Sequence, residues 1–132
     1  MAHSRSLYAL LVGINQYYSE SGVPNLRGCV NDVRAMARLL TDHFGVPANN
    51  VLTLVDAAAT AAAIQTAFQS HLIGNARRWR PVDPHTDKDS DRDDAPAFLF
   101  YFSGHGSQAR DLSGIEPDGM DEVFLPADIR PW

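Results

Sequence analysis

Two stretches of this chain are apolar at nearly every position rather than at every second or third. Leu7-Tyr8-Ala9-Leu10-Leu11-Val12-Gly13-Ile14 and Ala97-Phe98-Leu99-Phe100-Tyr101-Phe102 are too short for buried helices. Such runs are expected of strands covered on both faces, as in a parallel sheet. Between them Val33, Met36, Ala37, Leu40 and Phe44 recur at steps of three and four, which marks one face of a helix. Asn31 is the expected N-cap of that helix, Asp32 falls in its first turn, and Gly45 with Pro47 stops it. Val51-Leu52-Thr53-Leu54-Val55 reads as a third strand. A second helix is expected from Thr60 to about Arg78, with Ile64, Phe68, Leu72 and Ala76 as its buried stripe. Strand, helix, strand, helix, strand in that order predicts an α/β fold, a three-layer α/β/α arrangement around a mainly parallel sheet.

The remaining segments read differently. Pro81 to Asp94 holds six aspartates, two prolines and no large apolar residue except Val82, so 81–94 is an acidic loop inserted into a single domain spanning 1–132. Its aspartates lack the fixed glycine and terminal glutamate of an EF-hand loop. Ser107 to Gly119 is polar, and Glu122-Val123-Phe124-Leu125-Pro126 reads as a short strand or extended arm. A length of 132 residues, 45% of them hydrophobic and 20% charged, fits one ordinary core. The net charge of −5 supplies no basic stripe to neutralise phosphates, which argues against nucleic acid and leaves room for a basic substrate or a cation. One cysteine, Cys29, allows no internal disulfide and fits a reducing, cytoplasmic setting. The run from Leu7 to Ile14 is too short to span a bilayer and no cleavage site follows it, so neither an anchor nor a signal peptide is read there.

Candidate chemistry gathers at the end of the second apolar run, Ser103-Gly104-His105-Gly106. Ligands of open α/β sheets sit beyond the carboxyl ends of the strands. The intrinsic pKa of the histidine side chain lies near neutrality, which with this strand-end position makes His105 the leading acid/base candidate. His3, His43, His71 and His85 fall in a terminus, on helices or in the acidic loop and are read as surface or packing residues. No two histidines have metal-ligand spacing, so zinc is not expected. Cys29 stands where a loop meets a helix N-terminus, a setting that lowers a thiol pKa. The preferred reading is nevertheless a small apolar side chain packed under the helix. Asp32 is a partner for the helix dipole or the wall of a cation pocket. Asp118, Asp121 and Glu122 form a second acidic cluster. A phosphate-gripping flavodoxin-like turn is the weakest reading, since no glycine-rich fingerprint follows the first strand.

Four segments taken together, Tyr8 to Asn15, Leu26-Arg27-Gly28-Cys29-Val30-Asn31-Asp32, Tyr101-Phe102-Ser103-Gly104-His105-Gly106 and Asp118-Gly119-Met120-Asp121-Glu122, resemble the metacaspases, caspase-like cysteine peptidases. The resemblance runs from about Leu7 to Asp128. It implies a thiolate that attacks a peptide carbonyl, with His105 managing the protons and the backbone N–H of Gly106 near the oxyanion. It implies an acidic pocket for arginine or lysine at the cleavage site, with Asp32 and Ser103 at two wall positions. True caspases place arginine in that pocket, where this chain has Leu26. The chemistry needs no cofactor, but many members use calcium, for which Asp118 and Asp121 are the candidates; other ligands come from further along the family's chain. The family nucleophile lies on the strand that would follow, and Cys29 matches a different, non-nucleophilic cysteine near the site. The expectation is therefore the histidine half of a dyad, inactive alone. An aromatic strand left at the sheet edge would then be open to self-association or to a complementing chain. The competing reading is a non-catalytic caspase-like module that pairs through that edge.

Overall fold

The computed structural model describes residues 6–79 and 95–131. The 81–94 loop and the side chains of His3 and His85 lie outside the described residues. Strands β1 (Leu7–Gly13), β2 (Val51–Val55) and β3 (Ala97–Ser103) form a parallel sheet in the order β2-β1-β3. Ala9 stands opposite Val51, and Leu7 opposite Ala97. The middle strand is thus β1, whose Ala9, Leu10, Leu11 and Val12 have no exposed surface. β3 is covered on both faces as its composition suggests, with Phe100 and Phe102 packed toward one core and Leu99 and Tyr101 toward the other, but it lies at the edge of the sheet. Among the described residues it pairs with β1 alone, and Phe98 is partly open to solvent.

The alternation of side chains along β1 builds the layers. Leu10 and Val12, with Ile14, pack under Ile64, Ala67 and Leu72, carried by helix α2 (Ala61–Ala67) and its continuation. Ala9 and Leu11 pack on the opposite face against Val33 of helix α1 (Cys29–Arg38) and against Leu40 and Val46. The three-layer α/β arrangement expected from the sequence is present.

Both helices depart from the expected stripes for one shared reason. Each runs into a wide, π-type turn: Leu39–His43 after α1, and Phe68–Ile73 after α2, which leads into α3 (Gly74–Arg78). The amide of Phe44 reaches back five residues to the Leu39 carbonyl, and that of Gly74 to the Gln69 carbonyl. Such a turn inserts about one extra residue and rotates everything beyond it by roughly 100°. Hence Leu40 and Leu72 are buried as expected, while Phe44 is 64% exposed and Ala76 faces outward. Phe68, at the start of its turn, is also partly exposed and rests edge-on against Phe100 at 5.8 Å. Hydroxyls help satisfy the loosened carbonyls: Thr41 Oγ1 donates to Ala37, and Ser70 Oγ to Thr66.

The N-cap of α1 is likewise corrected. The helix begins at Cys29, and Asn31 lies inside its first turn beside Asp32. Asn15, just past β1, performs the capping instead: its Oδ1 accepts from the amides of Cys29 at 2.9 Å and Val30 at 3.4 Å. Gly13 makes room for this. A Cβ there would stand 2.6 Å from Val33 Cγ2 and 2.7 Å from the Cys29 carbonyl oxygen. Thr60 caps α2 as expected, its Oγ1 accepting from Ala63 N–H.

Beyond β3 the chain forms an antiparallel hairpin of β4 (Gly106–Arg110) and β5 (Met120–Phe124), with Gly106 opposite Phe124. β4 falls within the segment read as merely polar. Gly-Ser-Gln-Ala-Arg carries no apolar alternation, and only Ala109 is even half-buried. At the turn the Asp111 carboxylate accepts from Ser113 Oγ, Glu116 N–H and Ser113 N–H, which holds its pKa well below the usual carboxylate range.

Candidate active site

The chain passes from β1 to β2 over one face and from β2 to β3 over the other. That change of side leaves a crevice at the carboxyl ends of the adjacent β1 and β3, where such sheets hold their ligands. Ile14 N–H donates to the Ser103 carbonyl at 3.0 Å and ties the two ends together. The loop leaving β1 is pinned by two side chains and one backbone bond. Asp56 Oδ1 accepts from the amides of Asn15 at 2.8 Å and Gln16 at 3.0 Å. Asn25 Oδ1 accepts from Tyr17 N–H at 3.0 Å, and the Asn15 carbonyl from Leu26 N–H at 2.7 Å. Asp56 does this from a left-handed backbone, φ 46°, which aspartate tolerates better than most side chains. Asp56, Asn15, Asn25 and Tyr17 escape a reading from sequence. The available signal was Asn and Asp at strand ends, where they take up backbone amides.

His105 sits in this crevice, half-buried. Its Nε2 lies 2.9 Å from the Pro24 carbonyl oxygen. A carbonyl only accepts, so the proton of the neutral ring belongs on Nε2 and Nδ1 carries the free lone pair. Below the ring lies Tyr17, centroid to centroid 5.3 Å. The Tyr17 hydroxyl accepts from the His105 backbone N–H at 2.8 Å and donates to the Leu125 carbonyl at 3.3 Å. Burial raises the Tyr17 pKa above its ordinary 10.0; the His105 amide opposes this and a charge on nearby Cys29 adds to it. The phenol is therefore protonated at neutral pH.

Gly104 is the glycine that packing demands here. A Cβ would meet both the Tyr17 hydroxyl and Phe102 Cζ at 2.8 Å. At Gly106 it would meet only the Val123 carbonyl oxygen, at an ordinary 3.5 Å. What Gly106 offers is an amide. The Leu125 N–H donates to the His105 carbonyl, so His105–Leu125 is a bonded pair and Gly106–Phe124 the non-bonded one after it. The Gly106 N–H consequently turns away from β5.

Ser103 and Asp32, predicted as two parts of one pocket wall, are brought together. Ser103 Oγ donates to Asp32 Oδ2 at 2.9 Å, and Asp32 is exposed. Cys29 is 8% exposed, with its amide on Asn15, which suits the packing role read for it. His71 is elsewhere: its Nε2 stands 2.9 Å from the Asn50 carbonyl and its ring against Tyr8, at the amino end of the sheet. His43 packs edge-on to Phe44. Asp118 Oδ1 accepts from Met120 N–H within the hairpin turn, and Asp121 stands opposite Ala109. Among the described residues no three His, Cys, Asp or Glu side chains gather as a metal site. Also among the described residues, no helix is long and apolar enough to cross a membrane.

Comparison with known proteins gives this crevice its context. Residues 8–131 match the family model for the metacaspase, peptidase C14 domain. Metacaspase-1A of Aspergillus oryzae is 39% identical over 122 residues, which are 92% of this chain and 26% of that protein. Metacaspase-1 of Schizosaccharomyces pombe is 38% identical over 120 residues, 91% of this chain and 25% of that protein. Protein GSU0716 from Geobacter sulfurreducens, of known crystal structure, superposes with a TM-score of 0.63 at 28% identity, over 93% of this chain and 40% of that one. The chain thus spans about a quarter of the length of these curated relatives. With the match running from within β1 past the His105 hairpin, the chain belongs to the metacaspase family and has that family's caspase-like α/β fold.

Proposed function

We propose that these residues are the histidine-bearing part of a cysteine endopeptidase that cleaves after arginine or lysine, the nucleophilic thiol coming from a segment outside the 132 residues. The observation that carries the reading is His105, held through Nε2 on a backbone carbonyl with Nδ1 free. A base oriented in this way takes the proton of a thiol beside it and returns it to the leaving amine. The Gly106 N–H stands one peptide further along for the oxyanion. The buried thiol present, Cys29, packs at the start of α1 and is given no part in bond cleavage. On the rim, Asp32 is exposed while Ser103 holds one of its carboxylate oxygens, an arrangement suited to a guanidinium or ammonium group. Chemistry of this kind requires no cofactor.

A specific observation supports the second reading, a module that pairs through its edge. The outer face beside β3 carries a groove of about 510 Å³ lined by Ile64, Phe68, Phe100 and Phe124 among others.

Peptide reporters ending in arginine, lysine or aspartate separate the two. The 132-residue chain alone is expected to cleave none of them. The chain produced together with the family's thiol-bearing segment is expected to cleave the arginine and lysine reporters. His105→Ala should reduce that rate by about 100-fold or more, and Asp32→Asn should raise KM for both basic reporters. Turnover that survives His105→Ala would sink the mechanism. No turnover in the completed protein would favour the pairing module.

A further inference from the structure

His105 and Leu125 stand opposite each other at the mouth of the hairpin, one step beyond the Gly106–Phe124 pair. In an antiparallel ladder such a pair exchanges two direct N–H to C=O bonds. Only one is direct here: Leu125 N–H donates to the His105 carbonyl at 2.9 Å. The other is interrupted. His105 N–H donates to Tyr17 Oη at 2.8 Å, and Tyr17 Oη donates to the Leu125 carbonyl at 3.3 Å. The hydroxyl comes from the loop after β1, 88 residues away in sequence, and is buried. It occupies the place of a ladder bond and holds the pair open on one side only. The ring that carries it lies against the imidazole, and Gly104 leaves the space it needs.

We infer that Tyr17 is a positioning residue: its hydroxyl, wedged into the His105–Leu125 pair, sets the backbone from which the imidazole reaches the Pro24 carbonyl. The inference rests on reading His105 as the reacting imidazole, but its geometry does not depend on turnover. Without the hydroxyl the pair has no wedge. The His105 N–H is then free to bond the Leu125 carbonyl directly, which draws residue 105 toward β5 and takes Nε2 off Pro24. Tyr17 acts through His105 and touches no reacting atom.

The test uses isotope-labelled 132-residue chain, wild type and Tyr17→Phe, which keeps the ring and removes only the hydroxyl. In the wild type the His105 amide should exchange about 100-fold more slowly than an open amide. Its Nε2–H should give an observable resonance with a cross-peak to residue 24. In folded Tyr17→Phe the amide should remain protected, now by Leu125, while the Nε2–H resonance and the cross-peak are lost. Retention of both in the folded variant would overturn the inference. If Tyr17→Phe does not fold, the wild type decides: slow amide exchange supports the wedge, and exchange at the open rate overturns it. Failure of the peptidase reporters bears on the proposed function alone, since none of these signals requires cleavage.

Discussion

Each of the two glycines around His105 has a different reason to be there, and substitution separates them. Gly104→Ala drives a Cβ to 2.8 Å from both the Tyr17 hydroxyl and the Phe102 ring, within a packed corner. It is expected to cost about 1–3 kcal/mol, as overpacking does. Gly106→Ala meets only an ordinary contact and should change stability by less than about 1 kcal/mol. Chemical denaturation of the two variants measures the difference; an equal loss would contradict the geometry. The place of His105 just past the end of β3 was legible because an apolar run stops there at small residues. Tyr17 was not legible. A tyrosine ten residues before Arg27 gives no sign that its hydroxyl will enter a backbone pair 88 residues away. Such contacts are set by tertiary packing, which local pattern does not encode.

At the level of elements, caps and wide turns decided where reading the pattern succeeded. The alternation along β1 survives, and Leu40 and Leu72 stay buried although they lie inside the wide turns. Phe44 and Ala76 lie after them and rotate out. Asn31 has the right residue type for a cap, but the cap of α1 arrives from another element. Asn15→Ala should therefore cost about 0.5–2 kcal/mol, and Asn31→Ala, on an exposed helical position, little. Thermal melts of the pair measure this; a larger loss at Asn31 would restore the cap to where the sequence suggests it. β4 was overlooked because a strand supported by pairing with β5, with one half-buried residue, leaves no hydrophobic signature.

For the whole molecule the telling asymmetry is lateral. Among the described residues one side of the sheet ends in β2, and the other in β3 with an aromatic groove beside it, where Phe100 and Phe102 lie 5.6 and 4.7 Å from Phe124. An unpaired edge with apolar surface next to it invites another strand. The 132-residue chain is expected to self-associate in sedimentation runs, and an edge charge, Phe98→Lys, to reduce that association. A monomer with a single sharp melt would count against it. The central place of β1 also has a consequence in time. This strand is synthesised before both of its partners, Val51–Val55 and, much later, Ala97–Ser103. Its most apolar residues must wait for both, so a growing chain carries its future core exposed until most of the domain has left the ribosome. Loop closures of that length place refolding toward the slow end for a domain of this size, milliseconds to seconds. During that interval the chain depends on not meeting another copy of itself.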